Sequence, residues 1–183
     1  MIMWSQQDGS EFLKLARETV KNYFEDSRLK IKKTRFNERQ GVFVTINSVS
    51  NELRGCIGYP YPTYSLGEAI QRAAVSTAFE DPRFPPLTRQ GLDQIIFEIS
   101  VLTKLELIEV ENPREYLKKI EIGKDGLIIE CGFNKGLLLP QVAADYDWNV
   151  EEFIQHTCYK AGLPPDMWMD ERVKIYKFQA QIF

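Results

Sequence analysis

The stretch Leu53-Arg54-Gly55-Cys56-Ile57-Gly58 constrains this chain more than any other. In an extended segment side chains alternate between faces, so Arg54 and Cys56 are expected to project the same way. A guanidinium beside a thiol favours the thiolate, the reactive form of cysteine. Gly55 and Gly58 allow another group to approach the backbone closely. The structure around that strand has to be read from the rest of the chain.

Periodicity identifies that surrounding structure. Phe12, Leu15, Ala16, Thr19, Val20, Tyr23 and Phe24 recur at helical spacing, which predicts a helix over Glu11–Phe24 capped by Ser10 or Ser5. Val42–Ile46 is β-branched and aromatic, and Asn47–Asn51 supplies turn residues. A hairpin with the glycine-cysteine strand follows. Ser65 and Glu68 read as a capping box before an alanine-rich helix ending near Thr77. Asp81-Pro82-Arg83-Phe84-Pro85-Pro86-Leu87 then breaks the helix, because three prolines stiffen the backbone and remove amide donors. Ile95–Leu102 alternates as a central strand with Glu98 as its one charge. Asn112-Pro113 starts a short helix. Glu121–Leu139 reads as strands joined at Lys124-Asp125-Gly126 and Asn134-Lys135-Gly136. Pro140 opens another short helix. Asn149 and Glu152 open one whose buried stripe includes Phe153, Ile154 and Cys158, with Gly162 as its stop. Val173–Ile182 closes the chain as a strand. This order lacks regular βαβ alternation and predicts an α+β fold: a curved, mixed or largely antiparallel sheet with helices packed on it, in two unequal lobes.

Composition narrows the functional classes. A length of 183 residues suits one domain, 1–183, or two intimate lobes within it. A net charge of −3 gives no global basic field for nucleic acid. A local basic run, Arg28, Lys30, Lys32, Lys33, Arg35 and Arg39 with Lys21 just upstream, keeps nucleic acid as a weaker reading. No apolar run approaches a membrane span, and the first residues lack the pattern of a signal peptide. The expected location is therefore cytoplasmic, with no membrane partner. Three widely spaced cysteines and a single histidine form no CxxC or ligand cluster, so no metal is expected and no cofactor is predicted.

Several motifs together resemble the AMMECR family, the AMME chromosomal region candidate proteins. They are Leu53–Gly58, Asp81–Leu87 and Glu98-Ile99-Ser100-Val101-Leu102, followed in order by Gly126-Leu127-Ile128, Leu138-Leu139-Pro140-Gln141-Val142 and Cys158–Leu163. The similarity runs from about residue 10 to 183. It implies an α+β fold with unequal lobes around a curved sheet, and it brings no established reaction. It also implies Memo-like or radical-SAM proteins as partners acting in trans.

The candidate site gathers in the two constrained segments. Cys56 is a candidate catalytic nucleophile or, alternatively, a small packed side chain. Arg54 either pairs with Glu98 or Asp81 or stays free to hold a carboxylate or phosphate. Arg83 carries the same ambiguity, Phe84 is a core anchor or a stacking surface, and Gly55 and Gly58 shape the backbone around the site. Gln141, just after Pro140, helps an anion site or merely caps. Two classes of function stay open. One is an enzyme, or a component of one, with a cleft for a small anionic or nucleotide-like ligand. The other is an adaptor for a protein partner, using aromatics at Tyr59–Tyr64 and around Trp168.

Overall fold

The computed structural model describes residues 4–183. Its regular elements are α1 (Gln6–Asp26), β1 (Val42–Ser48), β2 (Leu53–Tyr59), α2 (Leu66–Phe79), β3 (Ile95–Leu102), β4 (Glu106–Leu107), α3 (Tyr116–Lys119), β5 (Gly126–Cys131), β6 (Asn134–Leu138), α4 (Pro140–Asp145), α5 (Val150–Lys160), β7 (Lys174–Phe178) and β8 (Ala180–Ile182). The class is α+β, as expected. The strands divide into two four-stranded sheets, ordered β2-β1-β3-β8 and β4-β7-β5-β6. The described residues form two compact units, one running as far as Leu102 and joined by residues 181–183, the other of residues 103–180.

In the first unit, β1 pairs antiparallel with both β2 and β3. Ile99 and Phe183 exchange both backbone hydrogen bonds, which brings the end of the chain beside β3. Helices α1 and α2 bury their apolar stripes on the sheet. Phe12, Ala16, Val20, Ile70, Ala73 and Ala74 join Val42, Val44, Ile46, Phe97 and Ile99 in one core. Alanines on α2 leave room for α1 to pack close. Ser5 is the residue that caps α1, with Asp8 completing a capping box.

At α2 the expected capping box does not form. Ser65 makes no side-chain cap, and Glu68 reaches Arg72 instead. The Leu66 and Gly67 amides donate to the Glu38 and Phe36 carbonyls, so a passing backbone satisfies the helix start. The basic run also has local answers. Arg28 and Lys30 pair with Asp26, Lys32 with Glu18, and Arg35 with Asp8 and Glu11.

In the second unit, Leu127, Ile129, Phe153, Ile154, Trp168 and Ile175 form a separate core. Trp168 is buried there, contrary to the exposed aromatic expected at that position. The β5–β6 turn falls at Gly132-Phe133, not at Asn134-Lys135-Gly136, which is strand. Gly136 serves contact instead: a Cβ there would strike the α5 backbone at Thr157 and Ala161. Residues before Gly126 form a turn closed by Asp125 on the Glu121 amide. The expected closing strand is divided at Gln179, β7 joining one sheet and β8 the other.

Candidate functional site

Strand β2 is held from three sides. Along one edge it pairs with β1, with Cys56 opposite Thr45 and Gly55 opposite Ile46. Against one face lies α2: a Cβ on Gly55 would come 2.6 Å from the Thr77 carbonyl oxygen. The buried Thr77 hydroxyl accepts from the Ile57 amide at 3.0 Å and donates to the Val44 carbonyl at 3.0 Å. Gly58 leaves space for β1: a Cβ there would strike the Val42 carbonyl oxygen and meet the Phe43 ring at 2.5 Å. The two glycines thus answer two neighbours, helix α2 and the paired strand β1.

The remaining edge of β2 meets side chains in place of a strand. Asp81 Oδ2 accepts from the Cys56 amide at 2.9 Å, and Arg83 Nη2 donates to the Cys56 carbonyl at 3.3 Å. The same two side chains bind each other, with Arg83 Nε 3.0 Å from Asp81 Oδ1 and Nη2 2.7 Å from Oδ2. Asp81 is buried while the Arg83 side chain is half exposed. The loop can hold this fork because Leu87 N–H bonds the Ala78 carbonyl and the prolines stiffen what lies between. Hydrogen bonds from Arg83, with help from the Cys56 and Arg83 amides, hold the Asp81 carboxyl well below the usual carboxylate range despite burial.

The Cys56 thiol lies in a row running across the sheet, Cys56 to Thr45 to Glu98. Thr45 Oγ1 donates to its sulfur at 3.4 Å. Burial pushes the thiol pKa up and outweighs the Thr45 hydrogen bond and the Arg83 charge, while the charges of Asp81 and Glu98 add to the rise. The guanidinium that favours the thiolate is Arg83, not Arg54. Arg54 sits where the β1–β2 register shifts, Ile46 facing Gly55 and Asn47 facing Leu53.

Arg54 is half-buried, and among the described residues it has no hydrogen-bond or ion-pair partner. Its guanidinium carbon lies 5.9 Å from the centre of the Phe84 ring, and that of Arg83 lies 5.3 Å from the same ring. Both distances are within cation–π range. Asp81, one of the two partners considered for Arg54, is engaged by Arg83. The structure therefore gathers Arg54, Gly55, Cys56, Gly58, Asp81, Arg83, Phe84 and Glu98 in the first unit. Gln141 belongs to the second unit, at the second position of α4, and its side-chain oxygen is buried without a partner among the described residues. His156 is also in the second unit, stacked on Trp148.

Sequence reasoning missed the roles of Thr45 and Thr77. Hairpin register was the available signal for Thr45, since pairing across the Asn47–Asn51 turn places it opposite Cys56. Nothing in the α2 pattern separates Thr77 from its apolar neighbours. Among the described residues no three His, Cys, Asp or Glu side chains are grouped to hold a metal. No helix among them is long and apolar enough to cross a membrane.

Comparison with known proteins covers this whole arrangement. A protein from Methanocaldococcus jannaschii, MJ0810, is 51% identical over 186 aligned residues, spanning 100% of this chain and 92% of that one. A protein from Methanothermobacter thermautotrophicus is 48% identical, spanning 98% of this chain and 95% of its own. The crystal structure of the uncharacterised protein PH0010 from Pyrococcus horikoshii superposes with a TM-score of 0.92 at 45% identity, covering 97% of this chain and 91% of that one. The AMMECR1 family model matches residues 13–183, a span that includes β2 and the Asp81–Leu87 loop, and the chain belongs to the AMMECR1 family.

Proposed function

We propose that this AMMECR1-family protein binds a small carboxylate- or phosphate-bearing molecule where β2 meets the Asp81–Leu87 loop. The observation that carries the reading is Arg54, a half-buried guanidinium with a ring beneath it and no acceptor among the described residues. A guanidinium in such a place leaves planar donors available for a carboxylate or phosphate. Phe84 offers a face to any ring the ligand carries. Arg83 adds charge, and its engagement with Asp81 fixes its position. Thr77 and the Asp81–Arg83 fork make β2 a rigid support, which limits the ordering cost of binding. The raised thiol of Cys56 favours non-covalent binding over nucleophilic catalysis here.

The test is a titration of the purified protein with inorganic phosphate, citrate and adenosine monophosphate, read as melting temperature and as heat. Binding raises the melting temperature in proportion to the logarithm of ligand concentration. Arg54→Ala is expected to weaken that binding by roughly tenfold or more, as loss of a charge-assisted contact implies. Arg54→Lys restores charge but not planar geometry and should recover only part of it. No response to any of the anions, or an equal response from Arg54→Ala, would sink the reading.

A further inference from the structure

The second unit carries a ring stack that the β2 site does not use. Tyr146 and Trp148 are stacked with centroids 4.9 Å apart and planes 15° from parallel. Trp148 and His156 are closer still, at 3.8 Å and 3°. Tyr159 lies 5.9 Å beyond His156, tilted by 58°. Trp148 packs against the second core and roots the stack there. Tyr146, at the other end, is 68% exposed.

The backbone holds these rings in place. Asp147, between Tyr146 and Trp148, has φ of 54°, a left-handed conformation that aspartate tolerates better than most residues. The amides of Tyr146, Asp147 and Trp148 donate to the carbonyls of Val142, Ala144 and Ala143. Three successive anchors fix the turn. An exposed aromatic stack on a fixed turn is a preformed surface, not a side chain left over from the core.

Its charge selects what such a surface attracts. Asp145, Asp147, Glu151 and Glu152 lie on the same stretch of chain, against a single lysine, Lys160. Glu152 is occupied in the α5 capping box, and Glu151 accepts from Gln155. Asp145 and Asp147 flank Tyr146 in sequence and are exposed, and their carboxylates have no partner among the described residues. Carboxylates repel a phosphate backbone, so the rings are not a platform for nucleic-acid bases. A planar cation meets both features: it extends the stack over the Tyr146 face and donates to a carboxylate beside it. Among side chains the guanidinium of arginine combines that shape with a charge that persists at every physiological pH.

We propose that the stack headed by Tyr146 docks an arginine-bearing segment of a partner protein. The test compares an oligoarginine peptide with an oligolysine peptide of equal length, measured by calorimetry on the full chain, with oligouridylate RNA as a third ligand. Oligoarginine should bind about fivefold tighter than oligolysine, the part of the affinity that stacking on a ring supplies. Tyr146→Ala should abolish that preference with the melting temperature unchanged, since the side chain is mostly in solvent. Asp145→Asn with Asp147→Asn should weaken both peptides together. Failure of either peptide to bind, equal binding of the two, a preference that survives Tyr146→Ala, or tighter binding of the RNA would each overturn the proposal.

Discussion

The backbone of a single residue, Cys56, connects the chemistry of the two signature segments. Its amide is taken by Asp81 and its carbonyl by Arg83, so the carboxylate and guanidinium serve the strand before they serve any ligand. This gives Asp81 a marked dependence on pH. Its pKa in the folded chain is depressed below the ordinary aspartate value of about 3.9. The unfolded chain therefore binds the proton first as pH falls. The stabilisation is complete above the unfolded value and is lost as pH drops through the folded one. Asp81→Asn should flatten the loss of stability below about pH 4 relative to the parent chain. Urea unfolding at a series of pH values checks this, and an unchanged slope would remove Asp81 from the account. Sequence reasoning found every member of this cluster but left open which arginine Asp81 pairs with. Arg83 is two residues away on a proline-stiffened loop, and that proximity outcompetes a partner from another strand. Such a contest is settled by loop geometry, which the motif does not display.

Elements show where local rules were enough and where packing replaced them. The helices α1, α2 and α5 and the strands β1 to β3 follow from periodicity, with α1 beginning about a turn earlier than its apolar stripe. The exceptions share one cause. Gly136 looks like a turn glycine, but α5 crosses it so closely that a Cβ would meet helix backbone. Ser65 looks like a cap, but the carbonyls of Phe36 and Glu38 already occupy the helix amides. In each case a distant segment determines the residue's use, and only the fold reveals that segment. Gly55 and Gly136 are then contact glycines between a strand and a helix. Alanine at either should destabilise its unit by about 1–3 kcal/mol, the usual cost of overpacking. Chemical denaturation measures it. Gly132 has φ of 61° and no atom within 4 Å of where a Cβ would stand, so alanine there should cost backbone strain without overpacking.

At the scale of the molecule, the chain passes from one unit into the other and returns. Residues 181–183 join the unit that begins the chain, where the Phe183 ring lies edge-on to Phe12 with centroids 5.5 Å apart. That unit is built from both ends of the sequence, a long-range closure that periodicity does not reveal. Its sheet ends on one side at β2, a strand whose outer amide and carbonyl at Cys56 are covered only by two side chains. Strand edges are templates for pairing with another chain, and proteins that leave them bare tend to aggregate. The fork of Asp81 and Arg83 is thus expected to guard also against self-association. Sedimentation of Asp81→Ala should show oligomers growing with concentration, with Arg83→Ala intermediate and the parent chain unchanged over the same range. A pair of charges on a proline loop would then be what keeps neighbouring molecules from zipping together along their exposed strands.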